Sequence, residues 1–126
     1  MRQKRYFTVE EANQLIPKLE QYMTKLKELR GQLEALGAEL TPFFQIIRHN
    51  GGHPKTPQFI EIVNRFHKGV ERIHSHGCIL KDIDQGLIDF PHLRNDREIY
   101  LCWKFGEKEI HYWHDLETGF TGRQLL

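Results

Sequence analysis

Cys102, His111 and His114 fall within one short C-terminal stretch, and thiolate and imidazole are the ligand types that zinc and similar ions prefer. Whether they converge depends on the strand register that carries them. A second grouping has anion chemistry. Gly119-Phe120-Thr121-Gly122-Arg123 could offer backbone N–H groups and a guanidinium to an anion, with Asp89, Glu107 and the histidines as acid–base groups. No nucleophile–base–orienter spacing is recognisable among them. Each grouping has a structural counterpart. Cys102 can be a buried thiol beside a hydrogen-bonded histidine, and the tail can dock by Phe120 while Arg123 pairs with a buried carboxylate such as Asp89.

Other polar clusters carry less. Lys81-Asp82-Ile83-Asp84-Gln85-Gly86 opens like a calcium loop, but its glycine arrives one position early and Leu93 stands where the loop needs Glu, so a turn closed by Asp side chains explains it. His74 and His76 sit two apart, which on a helix turns them to nearly opposite sides; charge at a helix C-terminus accounts for them. Trp103, Tyr112 and Trp113 read as core rather than as a base-stacking platform.

The elements that position these residues follow from the change of period after Gly77. Cys78-Ile79-Leu80 and Leu87-Ile88-Asp89-Phe90 are short apolar runs bounded by turn residues and Pro91, as expected of strands. Residues 98–114 predict a hairpin around Phe105-Gly106-Glu107-Lys108, with Gly106 at the first central position of a type II′ turn. That turn sets Cys102 opposite His111, Trp103 opposite Ile110, Leu101 opposite Tyr112 and Tyr100 opposite Trp113. His114 then points away from Cys102. A slip of one residue would exchange the two faces.

Upstream the pattern is helical. Thr8-Val9-Glu10-Glu11 has the form of a capping box, and apolar residues recur at Ala12, Leu15, Leu19, Tyr22, Leu26, Leu29, Leu33, Leu36 and Leu40 in steps of three and four. Pro17 lies off that seam and predicts a kink; Gly37 is a candidate end, with a short helix over 42–49 capped by Thr41. Residues 50–55 predict a loop. Thr56-Pro57 starts a second helix whose stripe of Phe59, Val63, Phe66, Val70 and Ile73 ends at Gly77. Two such stripes pack antiparallel in a coiled-coil-like hairpin. Read to Leu40, the first helix is about 50 Å long against about 30 Å for the second. The surplus seam must be covered by the C-terminal half, by Phe43-Phe44 folding back, or by another copy.

The chain has 126 residues, which suits one domain over 1–126: a helical hairpin over 8–76 and a β-rich half over 78–126. Lys and Arg number 18 against 17 Asp and Glu, so no global field draws it to nucleic acid or to an anionic membrane. The N-terminus passes from Met1 into charged residues without a signal-like apolar segment, and no apolar run could span a bilayer. The expectation is a cytoplasmic protein in which Cys78 and Cys102 stay reduced.

Three further strings, Gly86-Leu87-Ile88-Asp89-Phe90-Pro91, 100–107 and Tyr112-Trp113-His114 with 119–123, resemble the prokaryotic family of domain of unknown function 2203. Phe7-Thr8-Val9-Glu10-Glu11-Ala12-Asn13 is similar to that family's opening. The resemblance brings no activity, cofactor, substrate or catalytic residue with it. The expected fold class is α+β, an antiparallel helical hairpin followed by a small antiparallel sheet. The leading functional expectation is a non-enzymatic module that self-associates or docks a partner helix along the seam of Leu19, Leu26 and Leu33. The alternative is a small metal- or anion-binding protein, or an enzyme, built on Asp89, Cys102, Glu107, His111, His114 and Arg123.

Overall fold

The capping box forms as its spacing requires: the Thr8 amide donates to Glu11 Oε1 at 2.9 Å and the Glu11 amide donates to Thr8 Oγ1 at 3.1 Å. In this computed structural model, which describes the backbone of residues 4–50 and 56–126 and the side chains of 4–37 and 56–126, helix α1 runs over Val9–Asn50. It continues through Pro17 and past Gly37, so the predicted break at Gly37 and the separate helix over 42–49 do not occur. A helical glycine costs about 1 kcal/mol against alanine. Leu29 and Leu36 offset that by packing with Ile62, and Leu33 joins them. The loop predicted over 50–55 falls at 51–55 outside the described residues.

Helix α2 spans Thr56–His74, and Gly77 follows its last turn at φ 96°, the left-handed conformation that the predicted C-cap needs. The two helices run antiparallel: Tyr22 meets Arg72 and His76, Leu26 meets Gly69, and Leu29 and Leu36 meet Ile62. The buried stripe of α1 is Ala12, Ile16, Leu19, Met23 and Leu26, so Ile16 and Met23 are buried where the heptad reading placed Leu15 and Tyr22. The stripe is broader than an a/d seam because α1 packs against α2 on one side and the sheet on the other. Among the described residues no helix is long and apolar enough to cross a membrane.

Five antiparallel strands follow in sequence order: β1 (Ile79–Asp82), β2 (Leu87–Arg94), β3 (Arg97–Lys104), β4 (Tyr112–His114) and β5 (Gln124–Leu125). The longest pairing, β2 with β3, turns on Asn95 and Asp96 at φ 52° and 63°, a two-residue loop of type I′ sign. Pro91 does not end β2. Pairing with β1 stops at Asp89, so Pro91 sits on an open edge where its missing N–H costs nothing, and its carbonyl accepts the Phe7 amide at 2.7 Å.

The predicted register of β3 with β4 is one residue out. Cys102 pairs with Tyr112, Leu101 with Trp113 and Tyr100 with His114. The Glu107 amide donates to the Lys104 carbonyl, so Gly106, at φ 100°, is the second central residue of its turn rather than the first. Glu107 also accepts the Lys104 amide on its carboxylate and the Trp103 indole N–H on its carbonyl. The Ile110 amide then donates to Asn13 Oδ1 at 2.7 Å, which draws the returning chain onto α1 before β4 begins. A long docked loop thus replaces the tight hairpin.

One sheet face carries Ile88, Phe90, Ile99, Leu101, Trp103 and Trp113 into the core formed with α1. Cys78 belongs to that core; its thiol donates to the Ile73 carbonyl at 3.3 Å, and burial pushes its pKa from 9.0 to about 12. The folded thiol therefore keeps its proton where the unfolded one loses it. This contribution is whole below pH 9 and is lost as pH rises towards 12, at about 1.4 kcal/mol per pH unit. Urea midpoints followed from about pH 8 to pH 11 should fall, and fall less steeply in Cys78→Ala.

Candidate functional site

The opposite sheet face carries the polar residues, and the corrected register brings three of them together. Asp89 of β2 pairs with Cys102 of β3, and His114 of β4 lies on the same face two residues beyond Tyr112, the partner of Cys102. Their donor atoms all lie within 4.8 Å of one another, and all three residues are buried. His114 Nε2 is 3.0 Å from Asp89 Oδ1. On the other side of the ring, Nδ1 is 2.7 Å from the Asp115 carbonyl, which can only accept, so Nδ1 carries a hydrogen. Nε2 is then the nitrogen that faces Asp89 and the cluster.

Burial dominates the electrostatics. It raises the Asp89 pKa, while His114 and, more weakly, Lys81 and Cys102 act to lower it. It also pushes Cys102 up to about 12, with the Asp89 charge acting in the same direction. A thiol so protonated is no nucleophile at neutral pH; a cation bound there would have to displace its proton to solvent.

Over this face lies a strap formed by residues 115–123. It encloses a cavity of about 200 Å³ whose floor is Asp89, Cys102 and His114, with Lys81 at the rim and residues 116–120 as the roof. Arg123 pins the strap. Its Nη2 donates to Glu107 Oε1 at 2.6 Å and to the Cys102 carbonyl at 3.2 Å, and its guanidinium lies 4.1 Å from the Tyr112 ring centroid and 4.9 Å from that of Phe120. The carboxylate that pairs with Arg123 is therefore Glu107, where the sequence pointed to Asp89. Among the described residues, Arg123 Nε is buried without a hydrogen-bond partner.

The six residues singled out in the C-terminal half thus sort into three places. Asp89, Cys102 and His114 converge; Glu107 and Arg123 form the clamp beside them. His111 is exposed, its ring edge-on to Tyr112, and stands apart from the cluster. The sequence sets Asp89 among the acid–base groups of the anion candidates; its place beside Cys102 follows from the pairing that runs outward from the Asn95-Asp96 turn.

Residues 5–126 match the family described as "Uncharacterized conserved protein (DUF2203)". The chain belongs to that family. No curated protein and no solved structure matches it. The site of this DUF2203 chain is therefore read from its own geometry. Leu19 and Leu26 are buried in the chain's own core, and Leu33 is half-buried against the cluster of Leu29, Leu36 and Ile62. His74 and His76 line a separate, open depression with Lys4 and Arg5. There the Leu80 amide donates to His74 Nε2, and burial, with Lys18 and Arg5, lowers the His76 pKa.

Proposed function

We propose that this protein binds a transition-metal ion of zinc type through Asp89, Cys102 and His114. The observation that carries the proposal is the convergence of an oxygen, a sulfur and a nitrogen donor in a buried pocket, with the remaining imidazole nitrogen tied to a backbone carbonyl. That tie fixes a ligating histidine's tautomer and aims its other nitrogen. Bonds of about 2.0–2.3 Å in tetrahedral geometry place ligand atoms roughly 3.3–3.8 Å apart, a spacing these three reach with small side-chain adjustments. Three protein ligands leave a fourth position facing the cavity. A site of that type can polarise a small bound molecule or lower the pKa of a bound water.

Self-association along the helical seam has less support: Leu19 and Leu26 are already covered by the same chain, so that reading rests on Leu33 and on residues beyond Leu36.

Cobalt(II) titration of the metal-depleted protein tests the assignment, because a cysteine sulfur on cobalt gives an intense near-ultraviolet charge-transfer band. One equivalent should produce that band. Cys102→Ser should lose the band, and His114→Ala should bind at least about tenfold more weakly, while His111→Ala behaves as the unaltered protein. Circular dichroism checks that each variant is folded. Absence of stoichiometric binding, or a band that survives Cys102→Ser, would overturn the proposal.

A further inference from the structure

A second feature lies on the helical hairpin, away from the sheet. Where α2 crosses α1, Gly69 has no side chain, and a Cβ built there would come within 2.6 Å of Leu26 Cδ2. The helices meet closely at that point and leave a trough of about 280 Å³ beside it. Its floor is apolar: half-buried Tyr22 and Gly69 supply the exposed surface, over Leu26 and Leu29, which are almost wholly buried beneath them. Its charged lining residues are all cations: Lys25 from α1, and Arg65, Lys68 and Arg72 from α2. A chain with 18 basic and 17 acidic residues has no excess to spread evenly, so this concentration is local.

Part of that charge is weakly engaged. Lys25 lies 3.8 Å from Glu28 and Arg65 lies 2.7 Å from Glu61, both exposed pairs on the surface of a single helix. Such pairs contribute roughly 0–1 kcal/mol and exchange readily for another carboxylate. Lys68 and Arg72 have no ion pair among the described residues; the Arg72 guanidinium lies over the Tyr22 ring at 5.6 Å.

We infer that this trough docks an acidic amphipathic helix of a partner protein. Arg65, Lys68 and Arg72 stand at i, i+3 and i+7, so they form one row about 10 Å long on α2. A helix with carboxylates at the same spacing matches that row, and one large apolar side chain between the carboxylates fills the floor. A phosphate backbone would satisfy the cations but leave the apolar floor without a partner. The carboxylate-bearing helix uses both.

Fluorescence anisotropy tests this with a labelled helical peptide of roughly 14 residues, carrying Glu at i, i+3 and i+7 around a leucine. Its Gln counterpart and an oligothymidylate serve as the other probes. The acidic peptide should bind, and rising salt should weaken it as screening shortens the reach of the charges. The Gln peptide, and Lys68→Glu/Arg72→Glu with the acidic peptide, should each bind at least about tenfold more weakly. Lys108→Glu, in the exposed turn before β4, should leave binding unchanged. All these positions are exposed, and circular dichroism verifies the fold. No binding of the acidic peptide, equal binding by the double variant, or binding of the oligothymidylate in its place would overturn the inference.

Discussion

Gly86→Ala should lower stability by about 3 kcal/mol, read as a fall in the urea midpoint without a change in slope. Gly86 has φ 69°, where an L side chain is strained, and an added Cβ would sit 2.5 Å from Phe105 Cβ. Strain of this kind costs about 1–2 kcal/mol and overpacking about 1–3 kcal/mol more. Phe105 cannot easily retreat, because its amide donates to the Gly86 carbonyl at 2.8 Å and its ring packs edge-on to Trp103. Gly106→Ala is the matched control. Its φ of 100° is also positive, but nothing lies within 4 Å of the built Cβ, so only the strain remains. Equal losses at the two glycines would show that contact with Phe105 plays no part.

His114→Leu should cost about 3 kcal/mol, because it strips a buried carboxyl of its hydrogen-bond partner at 3.0 Å. Asp89→Leu should cost a similar amount for the reciprocal reason. The double variant should regain most of the loss, ending within about 1 kcal/mol of the unaltered chain, since a buried polar pair can often be exchanged for apolar groups of like size. Denaturant melts of the four proteins complete the cycle. Additive losses would mean that the pair is not coupled. The double variant also separates stability from chemistry: it should fold well and bind no cobalt.

Periodicity and capping made the helices legible, since Thr8 and Glu11, the stripe on α2 and the Gly77 stop each depend on residues a few positions apart. What local pattern could not decide was which neighbours α1 would have. Ile16 and Met23 are buried because the sheet covers that side of the helix, and this is set by residues some seventy to ninety positions downstream. The site shows the same division. Its residue types were visible, but Cys102 and His114 share a face only because Glu107 closes its own turn and Asn13 captures the Ile110 amide. A turn rule applied to Gly106 alone gave the wrong parity. The better signal was Asn95-Asp96, a pair suited to two positive φ angles, which fixes Asp89 opposite Cys102.

The placement of α1 between α2 and the sheet also governs the order in which the molecule can assemble during synthesis. The apolar side chains from Ala12 to Met23 leave the ribosome first, while Ile88 to Trp103, which cover one flank of them, are made roughly eighty residues later, about 4–16 s at 5–20 residues per second. Helix α2 arrives sooner and can shield the other flank as a hairpin. The newborn chain therefore passes through a stage with one oily side bare, when a chaperone or a neighbouring nascent chain has first access to it.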